Sequence, residues 1–364
     1  MAGTAADQSR QIIALAEEPA QCAAMAGHAP SRFSIGKLPM ETLQRLLRQN
    51  KIADRRVIVG PGIGEDAAVI DTGGPRYLIA KTDPITFTAD RIGWYAVHIN
   101  ANDIATKGAL PLWYLATLLL PEESTTENLA TQIFHDTLEA CHAIGVTLIG
   151  GHTEITAGLS RPIVAGQMLG EVEKEQLVRS DGAQPGDSII LTKGIAIEGT
   201  AVMAREHENE LVEVLDEKTL SRCQKFMYHP GISVLKDARA AIASGTVHAM
   251  HDPTEGGLAT ALHELAWAAG VGLRIRAETI PVFAETQALC NHFHLDPLGV
   301  IASGALLIVA PAAQTDAILA GLKRESITAT VIGEITDKNK GIKMLTAEGL
   351  GDLPRFEQDE LTKI

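Results

Sequence analysis

Residues 61–70 read Pro-Gly-Ile-Gly-Glu-Asp-Ala-Ala-Val-Ile, two glycines and two adjacent acids running into an apolar segment. Glycines let a backbone turn tightly and approach a ligand closely. The acids set hard oxygen ligands at the mouth of a predicted strand, which suits a Mg²⁺–phosphate site. A Gly-Glu-Asp turn is also an ordinary surface turn. Weight therefore comes from three later segments that repeat the theme: Lys81-Thr82-Asp83, Asn100 to Gly108, and Gly150 to Glu154.

The 364 residues suffice for two domains with their own cores. A hydrophobic content of 46%, only 4% aromatic residues and 33 glycines fit a soluble α/β enzyme built from Ala, Val, Ile and Leu. The net charge of −14 (45 acids against 31 bases) argues against non-specific nucleic-acid binding, which needs a basic footprint. It leaves an anionic substrate open, because a bound Mg²⁺ inverts the field locally. Cys22, Cys141, Cys223 and Cys290 are scattered with no Cys-x-x-Cys pair, so a reducing compartment without structural zinc is expected. The longest apolar run, Leu112 to Leu120, is too short to span a membrane. Residues 1–30 carry Asp7, Glu17 and Glu18 against Arg10, unlike a secretory leader. The expectation is a cytoplasmic protein with an Ala-rich amino-terminal extension over 1–33.

Apolar spacing predicts a short amphipathic helix over Met40–Leu47, strands over Arg76–Ala80 and Pro111–Leu120, and a helix over Gly93–Lys107 between them. A stronger helix is expected over Ser124–Ile144, capped by Ser124 or Thr125 and ended by Gly145, with Cys141 on its apolar face. Val146–Ile149 then reads as a buried strand running into Gly150-Gly151. The turn-rich segment 180–187 marks a boundary, giving domains over 34–178 and 179–345 and a loose polar tail over 346–364. In the second half, strands are expected over Ser188–Thr192, Gly272–Arg276, Gly304–Ala310 and Ala329–Ile335. Helices are expected after the 251–257 loop and over Ala312–Leu322.

On the 93–107 helix, Asn100, Asp103 and Lys107 share a face, with Asn102 beside them. That face is either solvated or aimed at a site. Asn-x-Asn-Asp lowers helix propensity, and poor helix formers kept in a helix favour liganding work. Lys81-Thr82-Asp83 follows a strand directly, where ligands gather in α/β sheets. Asp83 there offers a metal ligand and Lys81 a phosphate partner; a routine polar strand end reads the same way. Gly150, Gly151 and Thr153 offer phosphate contacts, and Glu154 an oxygen ligand. Asp66, Asp83, Asp103 and Glu154 together would make a carboxylate cluster, which implies Mg²⁺ because unscreened carboxylates repel. Asp252-Pro253-Thr254-Glu255-Gly256-Gly257 opens a helix, with Asp252 or Thr254 as the expected cap. Its free N–H groups favour an anion at Asp252, Thr254, Gly256 and Gly257. His292 and His294 near Cys290 match no zinc spacing. Gly194 to Gly199 lacks the Lys-Ser/Thr pair of a Walker loop.

Together these segments resemble the aminoimidazole ribonucleotide synthetase (PurM-like) superfamily. It also holds the hydrogenase-maturation protein HypE, thiamine-monophosphate kinase, selenophosphate synthetase and formylglycinamide ribonucleotide amidotransferase. The resemblance covers roughly residues 34 to 336 and adds Gly186 to Thr192 and Asp252 to Leu258 to the segments above. Val247 to Gly272 and Leu295-Asp296-Pro297-Leu298 look closest to HypE. It implies an α/β amino-terminal domain that dimerises through its sheet and an α+β carboxy-terminal domain. It also implies ATP and Mg²⁺ in a cleft near the dimer interface. By that likeness Asp66, Asp83 and Asp103 hold Mg²⁺, while Asn100, Gly150 and Gly151 lie along the phosphates. The shared chemistry is ATP-driven activation of an amide or carbonyl oxygen.

Three departures stand out. HypE ends in a carrier cysteine, where this sequence reads Leu361-Thr362-Lys363-Ile364. Ser34-Ile35-Gly36-Lys37-Leu38-Pro39 is closer to the thiamine-monophosphate kinase style than to the glycine-rich HypE loop, and no reactive Cys of selenophosphate synthetase is matched. His152 occupies a position usually held by an acid, so Glu154 takes over or one metal is lost. The expectation is a homodimeric, Mg²⁺-dependent ATP-utilising enzyme, HypE-like without the carrier cysteine, acting on a small-molecule or carrier-protein acceptor. Its rivals are a small-molecule kinase and a non-catalytic nucleotide-binding scaffold.

Overall fold

Residues 163–173, Ile-Val-Ala-Gly-Gln-Met-Leu-Gly-Glu-Val-Glu, bury every second position from Val164 to Val172. In the computed structural model, whose described residues are 33–364, this segment lies at the centre of a six-stranded sheet. The expected 1–33 extension and Cys22 lie outside the described residues, Phe33 excepted. In chain order the first half runs α1 (Met40–Leu47), β1 (Val57–Val59), β2 (Ala68–Asp71), β3 (Arg76–Ile85), α2 (Ile92–Thr106), β4 (Leu110–Pro121), α3 (Glu127–Ile144), β5 (Thr147–Thr156) and β6 (Ile163–Glu173). The sheet order is β1-β2-β3-β6-β4-β5, antiparallel except between β4 and β5. Sequence reading did not anticipate β6, because two glycines, Gln167 and two glutamates dilute its apolar signal.

Helix α2 differs from the expectation of one polar face. Every residue in it except Trp94 is buried. It lies between α3 and the sheet, and a helix enclosed on all sides has no solvent face to give its polar groups. Gly93 allows the close approach to α3: a Cβ there would sit 2.5 Å from Thr137 Oγ1. Strand β5 differs as well. It is an edge strand with nearly every residue exposed, and it runs straight through Gly150 and Gly151. A Cβ at Gly151 would lie 1.9 Å from the Ala116 carbonyl oxygen, so the glycine serves strand pairing. Helix α3 is capped one residue later than expected, by the Thr126 side chain accepting from the Leu129 N–H.

The second half contains β7 (Asp187–Thr192), α4 (Ile197–Glu206), α5 (Glu208–Leu211), α6 (Glu217–Gln224), α7 (Leu235–Ser244), β8 (Ala249–His251), α8 (Gly257–Ala269), β9 (Gly272–Arg276), α9 (Ala284–Phe293), β10 (Leu307–Pro311), α10 (Thr315–Arg324), β11 (Ala329–Thr336), β12 (Ile342–Thr346) and β13 (Gly349–Asp352). Its seven strands order as β13-β12-β9-β11-β7-β10-β8. Ile189 and Leu191 of β7 pack toward Leu258 and Leu262 of α8, while Ile190 packs toward α7 and α10. Cover on both faces explains the unbroken apolar run of β7. The tail expected to be loose is docked: Leu353, Asp359, Glu360 and Leu361 are buried. Its polar residues find partners, with the Asp359 carboxylate accepting the Gly256 N–H at 2.7 Å.

Asn102 is one of the side chains that tie the halves together. Asn102 Nδ2 donates to the Ile232 carbonyl at 2.8 Å, and Asn102 Oδ1 accepts the Val234 N–H at 2.9 Å. Both backbone groups are buried and would otherwise go unsatisfied. Asn102→Ala is therefore expected to lower stability by about 2–4 kcal/mol in urea unfolding, the cost of orphaning two buried groups.

Candidate functional site

Strand alternation puts Lys81 and Asp83 on the same face of β3, the face that α2 covers. Lys81 Nζ lies 3.4 Å from Asp83 Oδ2 and 3.3 Å from Asp103 Oδ1 of α2. Asn100, one turn before Asp103, donates from Nδ2 to the Asp83 carbonyl at 3.1 Å and to the Ala96 carbonyl at 2.8 Å. It fixes the strand end that presents Asp83. Asp66 arrives from the opening glycine turn, where Gly64 has φ +74° and a Cβ would lie 2.5 Å from the Glu264 carbonyl oxygen. Asp66 Oδ1 is 2.7 Å from His251 Nδ1, and Asp252 follows at the end of β8. Ligand atoms of Asp66, His251 and Asp252 all lie within 4.8 Å of one another.

Asp83 and Asp103 contact Lys81, and the charges of Asp66 and Asp252 also act on it. Asp66 Oδ2, Asp103 Oδ2 and both carboxylate oxygens of Asp252 are buried without a partner among the described residues. Burial drives Asp103 well above the usual carboxylate range; Lys81 pulls it down, but Asp252, Asp83 and Asp66 push it further up. Burial and the Asp66 charge push Asp252 up to about 7. Asp66 goes the other way, because the His251 cation, Lys107 and Lys81 outweigh its burial. Lys81 is raised despite burial by Asp103, Asp83, Asp66 and Asp252. Orphaned hard oxygens under mutual repulsion fit a divalent cation such as Mg²⁺.

A relay outside the cluster holds Asp66. His251 Nε2 is 3.0 Å from Glu264 Oε2, and Lys37 Nζ is 3.1 Å from Glu264 Oε1. Lys37 also donates to Thr254 Oγ1, and its backbone N–H to Glu255 Oε1. Lys107 is buried and reaches Glu65 Oε2 at 2.8 Å and the Ser180 hydroxyl. Sequence reading passed over His251, Glu264 and Lys37. The available signal was that His251-Asp252 ends a strand just as Lys81-Thr82-Asp83 does.

Several expected assignments fall elsewhere. Asn102 is fully buried and turns its amide to the backbone at 232 and 234, so it is not presented to a phosphate. Asp252 belongs to the cation-seeking cluster, because both its oxygens are orphaned acceptors. The start of α8 has Gly256, with φ +82°, as its cap residue and no side-chain cap, so neither Asp252 nor Thr254 caps it. Its Gly256 N–H already serves the chain's own Asp359. Gly257 is tight against the Leu298 carbonyl oxygen, 2.4 Å from a Cβ built there. Gly150, Gly151, Thr153 and Glu154 lie on β5, and Gly151 stands in one row with Ala116, Gly166 and Asp83. Three strand spacings separate that edge from Asp83, about 14 Å. Glu154 instead pairs with His152 at 3.0 Å and Thr156 at 3.1 Å, both near the solvent. A single chain therefore does not bring Glu154 to the three aspartates.

Comparison with known proteins gives two consecutive family matches. Residues 64–172 match the AIR synthase related protein N-terminal domain, and residues 184–345 its C-terminal domain. The carbamoyl dehydratase HypE of Rhizobium leguminosarum bv. viciae is 30% identical over 299 residues, covering 79% of this chain and 82% of the relative. A HypE–HypF complex structure superposes with a TM-score of 0.70 at 23% identity, covering 86% of this chain and 99% of that one. A structure of the hydrogenase maturation protein HypE in complex with ATP gives 0.66 at 24% identity, covering 82% and 91%. These likenesses bear out the expected two-part PurM/HypE-like fold.

The His251 relay has a pH signature. Burial lowers its affinity for a proton, but Asp66 and Glu264 overcome this and hold the ring protonated up to about 10, against an ordinary 6.5. The stability this contributes is full below the unfolded value and is lost as pH rises toward the folded one. With metal chelated, the urea midpoint of the wild type is expected to fall between about pH 7 and about pH 10, and His251→Gln to flatten that slope.

Proposed function

The chain belongs to the AIR synthase related protein family, and on that premise we propose that it is a Mg²⁺-dependent, ATP-utilising enzyme. Its reaction is activation of an amide, carbonyl or similar oxygen on a small-molecule or carrier-bound acceptor. The observation that carries this reading is the set of orphaned carboxylate oxygens of Asp66, Asp103 and Asp252 gathered with Asp83 around Lys81. These four aspartates would hold Mg²⁺. When bound, the ion supplies charge neutralisation for transferring phosphates. Lys81 sets the spacing of Asp83 and Asp103, and Asn100 anchors the backbone of Asp83 with its own Oδ1 still free. The relay through His251, Glu264 and Lys37 keeps Asp66 ionised. Curated relatives carry the name carbamoyl dehydratase, which supports a carbamoyl-type amide as the acceptor. The HypE–HypF complex of a fold relative supports a protein partner that presents it.

The residues on β5 enter this reading through a second copy. The sheet face away from α2 carries half-buried Leu78, Ala80, Leu115, Leu119 and Leu169, continuous with exposed Ile149 on the open edge. An apolar face ending in an unpaired edge needs cover. A homodimer closed through this sheet would supply that cover. It would also let Gly150, Gly151, Thr153 and Glu154 of one copy serve the phosphates held by the other.

Two measurements test the reading. Calorimetric titration with a non-hydrolysable ATP analogue is expected to show binding that requires Mg²⁺, and Asp103→Asn to lose it while melting cooperatively. Mg²⁺-independent or unchanged binding in the folded variant would refute the site. Sedimentation is expected to show a wild-type dimer that Ile149→Lys shifts toward monomer, whereas a monomeric wild type at micromolar concentration would refute the role given to β5.

A further inference from the structure

Two further polar atoms are buried on the side of the first sheet that α2 covers. The Tyr114 hydroxyl of β4 and Asn100 Oδ1 of α2 have no hydrogen-bond partner among the described residues. Both residues are wholly enclosed, with 0% of their surface exposed. Buried polar groups in folded proteins are nearly always paired, so two orphans against one glycine mark a contact.

That glycine is Gly166. Strand alternation sends Tyr114 and Ala116 to one face of β4. Ala116 pairs with Gly166 of β6, and Gly166 pairs with Asp83 of β3. Helix α2 lays Asn100 across the same rung. A Cβ built on Gly166 would lie 2.5 Å from the Tyr114 hydroxyl, 2.8 Å from its ring and 2.5 Å from Asn100 Nδ2. Any larger residue at 166 would push one of these groups aside, so the glycine makes room for both.

The remaining hydrogen-bonding capacity decides which atoms can pair. Asn100 Nδ2 is committed to the Asp83 carbonyl at 3.1 Å and the Ala96 carbonyl at 2.8 Å. That spends both amide protons and leaves the acceptor Oδ1. Burial raises the Tyr114 phenol far above its ordinary value, with Cys141 adding to the rise, so it stays a neutral hydroxyl with a proton to donate. Cys141 makes no hydrogen bond to it. One donor and one acceptor are left over beside the same glycine. A small side-chain rotation or a single shared water joins them.

Asp83 depends on this bond. Asn100 holds the Asp83 carbonyl, and the Asp83 carboxylate faces Lys81. The outer torsion of an asparagine side chain is soft. An amide held only through its nitrogen can therefore pivot and let the strand end shift, whereas one held through both atoms has a single orientation.

We propose that Tyr114 is a positioning residue for the metal site. Its hydroxyl bonds Asn100 Oδ1, directly or through one water, and so fixes the backbone that presents Asp83. The proposal rests on the reading of the four aspartates as Mg²⁺ ligands and adds a residue that touches neither ion nor nucleotide.

Two readouts on the full chain test it. The first needs no metal: the Asn100 side-chain amide resonances in ¹⁵N NMR are expected to shift in Tyr114→Phe, which removes one oxygen and keeps the ring. The second is Mn²⁺ affinity, read from the free-ion EPR signal without nucleotide. Tyr114→Phe is expected to weaken Mn²⁺ binding about fivefold, the scale of one neutral hydrogen bond. In an Asn100→Ala background the same substitution is expected to change the affinity no further. Asn100→Ser serves if Asn100→Ala fails to fold. Unmoved Asn100 amide signals in folded Tyr114→Phe would overturn the contact, and wild-type Mn²⁺ affinity in that variant would overturn its role. An equal loss with and without the Asn100 amide would also overturn it, because a merely structural effect of Tyr114 needs no partner at 100. A wild type that binds no Mn²⁺ while the amide signals still shift would refute the four-aspartate reading and leave the contact standing.

Discussion

Mutual repulsion among buried carboxylates is the constraint on which the rest of this structure depends. Asp83 and Asp103 contact Lys81, Asp66 and Asp252 act on it through their charge, and Asp66, Asp103 and Asp252 keep oxygens that nothing in the described chain satisfies. A fold does not retain such an arrangement for stability, because each buried charge costs more than Lys81 can return. The surrounding architecture confines the strain. Helix α2 is enclosed so that Asp103 cannot swing to solvent, and Asn100 pins the strand end that carries Asp83. The His251–Glu264 pair holds the far side of Asp66. In the proposed reading, a cation bound among these oxygens would remove the repulsion and offer a place for phosphate.

The same logic explains why the cluster forms at a junction. Asp66, Asp83 and Asp103 come from the first half of the chain and Asp252 from the second. The ties that cross between the halves are polar: Asn102 to the 232–234 backbone, His251 to Asp66, and Lys37 to Glu264. A large apolar core also spans both halves, from Val59 to Leu361, so the polar ties align surfaces that hydrophobic burial already holds together.

Much of this was legible in the sequence. Glycine-acid turns and strand ends pointed to Asp66 and Asp83, and poor helix formers to Asn100 and Asp103, residues that the fold brings to one junction. The less visible parts share a cause: side-chain partners distant in the chain. Asn102 has the same residue type and helix as Asn100 but meets backbone from residues 130 or more positions away, which no local pattern announces. Asp252 looked like a helix cap, because its spacing to the following helix is a capping spacing. Only the tertiary approach of Asp66 reveals its place in the cluster. The glycines at 150 and 151 have the composition of a phosphate loop, yet Gly151 answers to strand pairing against Ala116. Strand β6 hid because glycine and glutamate at alternating positions dilute a period-two signal.

The most direct test of the account is crystallographic. Crystals grown with Mn²⁺ and a non-hydrolysable ATP analogue would be measured for anomalous scattering at the manganese edge. The account predicts a manganese peak coordinated by oxygens from Asp66, Asp83, Asp103 and Asp252, with analogue phosphate on the same ion. Analogue bound with its metal away from these carboxylates, or a cluster that stays free of metal at saturating Mn²⁺, would contradict it.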